Sequence, residues 1–93
     1  MNVGTLKLQL HIPGCRSLKE KRGVLRPLIA RIRKDFNVSV AEVDKQDLHQ
    51  SASLAVSAVG TDAAFVNSVL SNVVKRVERE RNCYLQDYSI ELL

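Results

Sequence analysis

The segment VGTLKLQLHI, residues 3–12, decides the fold class of this 93-residue chain. Every second residue from Leu6 to Ile12 is apolar, and the residues between them are polar. A period of two with one apolar face predicts a strand that is buried on one side only. The Pro13-Gly14 pair is expected to end this strand. The first element of the chain therefore needs a covering layer on one face.

A helix is predicted to follow this strand. Ser17 and Glu20 fit a capping box, with the serine at the N-cap and the glutamate at the third helical position. Apolar residues then recur at three- and four-residue steps up to Phe36, where we expect the helix to end. Pro27 cannot donate a hydrogen bond to the carbonyl of Gly23, and its ring crowds that carbonyl. We therefore expect a kink or a short first segment between these two residues.

Alternation and helical spacing together predict four further elements. They are a strand over residues 38–43, a strand over 51–59, a helix that begins at Thr61 or Asp62, and a strand over 84–92. One face of the last strand is predicted to carry Tyr84, Tyr88, Ile90 and Leu92. The resulting order is β-α-β-β-α-β, within a single domain that spans residues 1–93.

Right-handed crossover connections restrict how this order of elements can fold. In each βαβ unit they leave room for one strand between the two that the unit contributes. The natural solution is an antiparallel sheet with strand order 4-1-3-2 and both helices on one face. We therefore predict an α+β fold, a ferredoxin-like βαββαβ sandwich whose second sheet face is open.

Positive charge is concentrated in the first helix. The net charge of the chain is +4, but eight of its fourteen basic residues lie between Arg16 and Lys34, where Glu20 is the single acidic residue. On a regular helix, four of them fall within about 60° of one another: Lys19, Arg22, Arg26 and Arg33. Such a stripe can contact several phosphates without reading sequence. The pattern is equally typical of a solvated face that keeps a protein soluble, and the sequence leaves both interpretations open.

The predicted topology also gathers polar residues at one end of the domain, where the first strand ends and the first helix begins. The residues expected there are His11, Cys15, Arg16, Lys19, Asp44, Lys45, Asp47, His49 and Cys83. The helix N-terminus adds unpaired N–H groups and a partial positive charge, which favour an anion. We assign anion or nucleic-acid binding to Arg16, Lys19, Lys21, Arg22, Arg26 and Arg33. A possible site at the same end comprises His11, Asp44, Lys45, Asp47 and His49.

Catalytic and metal chemistry find little support in the sequence. Cys15 and Cys83 lack the short, regular ligand spacing that zinc sites use, so we expect two partly buried free thiols and no metal or cofactor. Asp44 and Asp47 are expected to bond to nearby backbone in turns. No nucleophile, base and oxyanion donor stand out together, so we predict that the protein is not an enzyme.

The open sheet face lacks the aromatic residues on which RNA-recognition sheets stack bases. The outward residues of its two central strands are Thr5, Lys7, Gln9, His11, Ser51, Ser53, Ala55 and Ser57. Such a face either accepts a second sheet in a homodimer or lies in water. No run of apolar residues reaches the ~18 that a membrane span needs, and Lys7 interrupts the first apolar run. We therefore expect a cytoplasmic protein with no membrane partner.

Three segments, LHIPG…SLKEKR near the start, FNVSVAEVD in the middle and DYSIELL at the end, resemble the small bacterial YlxP-like proteins. The resemblance runs over nearly the whole chain. It implies a ferredoxin-like fold, in agreement with the pattern of strands and helices. It implies no activity, because the family is a domain of unknown function. Its members are often encoded beside genes for translation initiation and ribosome maturation, which points towards RNA or the ribosome.

Charge pattern and resemblance together lead to one functional expectation and one alternative. The expectation is a small, non-enzymatic factor that binds structured RNA or a ribosomal subunit through the basic first helix. The alternative is a homo-oligomeric protein-interaction module or a module that binds a small ligand. Both are compatible with a ferredoxin-like domain, which serves many functions.

Overall fold

The alternating segment at the start of the chain forms a long strand, as predicted. A computed structural model describes all residues, 1–93. Its elements are β1 (Asn2–His11), α1 (Leu18–Asp35), β2 (Ser39–Asp44), β3 (Ser51–Gly60), α2 (Ala63–Glu78) and β4 (Tyr84–Leu92). The β-α-β-β-α-β order is therefore confirmed. Asp62 is the N-cap of α2, because its carboxylate accepts a hydrogen bond from the Ala64 N–H at 2.8 Å.

The four strands form one antiparallel sheet in the order β2-β3-β1-β4, which is the predicted 4-1-3-2 order read from the other edge. Leu8 at the centre of β1 pairs with Leu54 of β3 on one side and with Tyr88 of β4 on the other. Leu8 and Leu54 are completely buried, together with Leu28 of α1 and Leu70 of α2. One continuous core lies between the sheet and the two helices. The ferredoxin-like α+β fold is thereby confirmed.

Helix α1 runs without interruption through Pro27. The prediction of a separate short first segment that ends between Gly23 and Pro27 is therefore wrong. Leu25 and Leu28, close to the proline on the buried side of the helix, are both core residues. Burying a leucine contributes about 1.5–3 kcal/mol. Two such residues are enough to hold the helix through a proline that costs about 3 kcal/mol in a helix interior.

A β-bulge interrupts the pairing of β4 with β1. Gln9 of β1 pairs with Asp87, whereas the next residue, Leu10, pairs with Leu85. Gln86 is therefore an extra residue with no partner on β1. A bulge of this kind shifts the alternation of side chains by one position.

The bulge reverses the faces of the two residues at the start of β4. Leu85 is half-buried against the core, whereas Tyr84 lies opposite His11 and is 60% exposed. The prediction that Tyr84 shares a face with Tyr88 is therefore wrong. The open face of the sheet gains an aromatic residue at its edge. Neither helix combines the length and apolar character needed to cross a bilayer.

Candidate nucleic-acid interface

The start of α1 is capped by its own side chains. The Ser17 hydroxyl accepts a hydrogen bond from the Glu20 N–H at 3.1 Å, as the capping box predicts. The Glu20 carboxylate accepts from the N–H of Arg16 at 2.6 Å, one residue before the N-cap. A carboxylate of the chain therefore already lies at the end of the helix that attracts anions. An outside anion gains less at this end than the sequence indicates.

Lys21 lies inside the protein, with only 2% of its surface exposed. Its ammonium donates to the carbonyl of Lys45 at 2.7 Å and to the carbonyl of Leu48 at 2.8 Å. It also lies 2.8 Å from Oε2 of Glu42, a buried oxygen that has no other donor. The ammonium group thus makes two hydrogen bonds to backbone carbonyls and one ion pair with a carboxylate.

This enclosure removes Lys21 from the predicted anion-binding residues, because its ammonium is buried and already paired within the fold. The signal was visible in the sequence, since a continuous α1 places this residue on the apolar side of the helix. Its function is to hold the loop between β2 and β3 against α1.

The same loop is also held on the open face of the sheet. A bulge at Val43 of β2 moves Asp44 to that face, where its carboxylate lies 3.0 Å from Nζ of Lys7. Lys45, whose φ of 63° lies in the left-handed region, extends its ammonium to Oε1 of Gln9 at 3.0 Å. The loop is therefore fixed from both sides of the sheet, although most of its residues are exposed.

The five residues predicted as a possible site at this end divide between two surfaces. Asp44 and Lys45 engage the open sheet face, as described, and His11 lies beside Tyr84 on β4. Asp47 and His49 instead line an open groove of about 420 Å³. Nowhere do three or more His, Cys, Asp or Glu side chains come together in a way that would hold a metal ion.

Five of the eight basic side chains between residues 16 and 34 make no ion pair or hydrogen bond within the protein. They are all exposed: Arg16, Lys19, Arg22, Arg26 and Lys34. Arg31 instead pairs with Glu80 at 2.9 Å. Arg33 donates to the carbonyl of Val40 on edge strand β2 at 2.7 Å. Part of the hydrogen-bonding capacity of its guanidinium is therefore used within the fold.

Three of these five free cations border a groove on the outer side of α1. Lys19, Arg22 and Arg26 line it together with Gly23 and Pro27, and its volume is about 370 Å³. We call this surface the basic groove. It contains no acidic side chain, and its positive field faces solvent.

Neither Gly23 nor Pro27 is required for packing at this position. A methyl group added at Gly23 would meet nothing within 4 Å, and its φ is not in the left-handed region. Pro27 is exposed. Glycine costs about 1 kcal/mol and proline about 3 kcal/mol relative to alanine in a helix interior. The basic groove therefore contains two residues that oppose the helix and that nothing in its packing explains.

A second charged cluster lies outside the basic groove. It connects α1 to the C-terminal end of α2. Glu80 receives two hydrogen bonds from Arg31, at 2.9 and 3.1 Å, and lies 3.0 Å from Arg76. Burial raises the pKa of the nearby Cys83 thiol. The Glu80 carboxylate raises this pKa further, and the Arg31 guanidinium opposes the rise. Both cysteines are buried free thiols.

The open sheet face is uneven. Its middle carries small residues of β2 and β3, which with Thr5 line a shallow cavity of about 220 Å³. At the end away from the β2–β3 loop, the register places Val3 beside Val59, which is 61% exposed. Leu93 lies next to them, since its N–H donates to the Val3 carbonyl at 2.8 Å, and it is 72% exposed. This apolar end is a contrast to the basic groove on the other side of the domain.

A ferredoxin-like α+β domain with a solvent-facing cationic helix is the class of protein that this fold and surface define. The sequence profile of a family described as a protein of unknown function (DUF503) matches residues 3–90, and the chain belongs to that family. It is similar to the uncharacterized protein YlxP of Bacillus subtilis (strain 168), with 32% identity over 76 residues. The match covers 82% of this chain and 83% of that protein. The predicted resemblance to YlxP-like proteins is confirmed.

Three solved structures with similar folds have low sequence identity to this chain. A de novo designed protein with a ferredoxin fold, LFR1 1, has a TM-score of 0.54 at 12% identity and covers 100% of this chain and 84% of its own. SnoaB, a cofactor-independent oxygenase of Streptomyces nogalater, has a TM-score of 0.52 at 14% identity, over 99% of this chain and 90% of its own. A REP-associated tyrosine transposase bound to a REP hairpin has a TM-score of 0.53 at 13% identity, over 99% and 56%. These likenesses establish the fold alone.

Proposed function

We propose that this protein is a non-enzymatic factor that binds structured RNA through the basic groove of α1. One observation carries the proposal: Lys19, Arg22 and Arg26 form a continuous exposed surface without an acidic partner. They span about 10 Å along the helix axis. Cations in this arrangement can contact successive phosphates of one strand, which gives affinity without sequence specificity.

The positions of the cations that are buried or paired within the fold support this assignment. Lys21 and Arg31 neutralise acidic groups of the protein itself, and both lie away from the basic groove. Three unpaired cations thus lie together in the groove, whereas these two are paired elsewhere in the fold. A solubilising surface does not require three adjacent cations without an acidic neighbour, since scattered charges of both signs serve that purpose.

Binding to an RNA hairpin from ribosomal RNA, followed by fluorescence anisotropy at several KCl concentrations, tests the proposal. Log affinity should fall with log salt by roughly 0.9 per phosphate contacted. The variant Lys19→Glu/Arg22→Glu/Arg26→Glu should bind at least about tenfold more weakly and lose most of this slope. Lys75→Glu/Arg79→Glu/Arg81→Glu is the matched control, because it changes charge equally at three exposed cations outside the groove. Equal losses in both variants would exclude a role for the groove.

A ribosomal target is tested in the native cell. The tagged protein and its groove variant are captured after crosslinking, and the bound RNA is sequenced. Ribosomal RNA enriched with the parent and depleted with the variant would support association with a ribosomal subunit. Equal recovery of all RNA classes with both proteins would count against it.

A separate observation favours a second candidate, self-association through the open sheet face. Val3, Val59 and Leu93 form an apolar patch at one end of that face, and small residues beside it would let a second sheet approach closely. Burial of exposed apolar side chains is the general driving force for such a dimer. Sedimentation velocity at micromolar concentration should then detect a dimer that Val59→Lys dissociates. A parent protein that sediments as a monomer would remove this candidate.

A further inference from the structure

The basic groove contains a hydrogen-bond acceptor that an ordinary helix would not offer. The carbonyl of Gly23 should receive the N–H of the residue four positions later, but that residue is Pro27, which has none. No side chain of the protein donates to this carbonyl. Gly23 itself is exposed, and a Cβ at this position would meet nothing within 4 Å outside the backbone of its own helix.

The three cations lie before and after this acceptor along the helix. Lys19 lies one turn before Gly23, Arg22 precedes it directly, and Arg26 lies almost one turn after it. All of them line the same groove. A ligand that satisfies the whole groove must therefore carry negative charge at two or more points and one hydrogen-bond donor between them.

The ribose-phosphate backbone has this chemistry. Its phosphates supply the charges, and the 2′-hydroxyl of the intervening ribose supplies the donor. DNA has the same phosphates but lacks the hydroxyl, and inorganic polyphosphate lacks the donor as well. We propose, on the basis of the RNA-binding function proposed above, that the Gly23 carbonyl accepts a hydrogen bond from a 2′-hydroxyl while Lys19, Arg22 and Arg26 hold the flanking phosphates. The groove thereby distinguishes RNA from DNA.

Two substitutions distinguish this hydrogen bond from the general electrostatic attraction between the cations and phosphates. Pro27→Ala restores an N–H that saturates the Gly23 carbonyl within the helix. Gly23→Ala places a methyl group at the mouth of the groove. Neither variant changes the charge of the protein, and both replace a residue that disfavours helices with one that favours them. Loss of binding in these variants would therefore not be attributable to unfolding, and thermal melts of both variants test that directly.

The experiment compares the parent and both variants with one hairpin sequence made as RNA and as DNA, at the same salt concentration. The parent should bind the RNA roughly fivefold more tightly, the ratio expected for one net hydrogen bond. Both variants should bind RNA as weakly as DNA, with an unchanged salt dependence. Ala30→Gly is the control, since Ala30 is exposed on α1 but does not line the groove. It should keep the preference for RNA.

The outcomes distinguish this inference from the function on which it rests. A parent that binds RNA and DNA equally, in a charge-dependent way, would overturn the 2′-hydroxyl contact and leave binding by the basic groove intact. Variants that keep the full preference for RNA would overturn it too. A parent that binds neither hairpin would overturn both the contact and the proposed function.

Discussion

The ammonium of Lys21 lies 2.8 Å from the carboxylate of Glu42, and this pair connects the interior of α1 to edge strand β2. The two hydrogen bonds to the carbonyls of Lys45 and Leu48 extend the connection to the loop between β2 and β3. A single side chain thus links three parts of the chain: α1, β2 and the loop between β2 and β3. Its burial makes each of these bonds costly to break.

Lys21→Met should lower the free energy of unfolding by about 2–4 kcal/mol, because it leaves a buried carboxylate oxygen and two carbonyls without a donor. Urea denaturation measures the change. Lys19→Met is the matched control: its side chain is exposed and unpaired, so a change within about 0.5 kcal/mol is expected. A Lys21 variant as stable as this control would mean that the enclosed ion pair contributes nothing net.

Two glycines should respond in opposite directions to alanine. In Gly4→Ala the new methyl would lie 2.6 Å from Cγ1 of Val66 and 2.9 Å from Cδ1 of Leu70, both completely buried. This overpacking should cost about 1–3 kcal/mol. Gly23→Ala meets open space and should stabilise the protein by about 0.5–1 kcal/mol. Thermal melts of the two variants give the comparison, and shifts of the same sign would contradict it.

Glu80→Gln should destabilise the protein by about 1–3 kcal/mol, since its carboxylate faces both Arg31 and Arg76 and only 9% of its side chain is exposed. Glu78→Gln is the control, because Glu78 is exposed and has no ion pair. Urea denaturation of both variants separates the ion pairs from the general effect of removing a negative charge. Equal small effects would indicate that the Arg31–Glu80–Arg76 cluster is dispensable.

Cys83 should react slowly with iodoacetamide in the folded protein, because burial and the Glu80 charge raise the pKa of its thiol above the ordinary value of 9.0. A raised pKa favours the neutral thiol in the folded state. Its contribution to stability is therefore complete below about pH 9 and is lost as the pH rises further. Mass spectrometry of alkylation against pH, in buffer and in urea, measures this protection. Similar rates in both would disprove it.

Glu80→Gln also tests the cause of the Cys83 shift. Removing the carboxylate lowers the pKa of the thiol, so alkylation at pH 9 should accelerate. Burial, the larger cause, remains, and the rate should stay below that of the unfolded chain. No acceleration would mean that the charge of Glu80 does not reach the thiol.

Local patterns predicted the order of elements and the topology, because alternation and helical spacing record which faces are buried. They did not predict the bulge at Gln86, since an extra residue in a strand leaves no mark in the composition. The face of Tyr84 was therefore assigned wrongly. The effect of Pro27 on α1 was overestimated for a related reason. The local cost of this proline is visible in the sequence, whereas the tertiary burial of Leu25 and Leu28 that offsets it is not.

The candidate site was predicted in part. Lys19, Arg22 and Arg26 line one groove, as their helical spacing indicated. The partners that engage other cations lie far away in sequence, such as Glu42 for Lys21 and Glu80 for Arg31. A sum of charges along the chain cannot detect them. The same holds for Asp44, whose partner Lys7 lies two strands away.

The sheet order has a consequence for how the bound protein would be oriented. Helix α1 packs beside β2, and β4 forms the opposite edge of the sheet. The only charged residues of β4 are Asp87 and Glu91. A protein molecule bound to a polyanion through α1 would therefore have an asymmetric charge distribution. Its cationic helix would lie on the polyanion, and its negative β4 edge would be turned outward. Whatever approaches the assembled complex next would meet an acidic strand rather than the cationic helix.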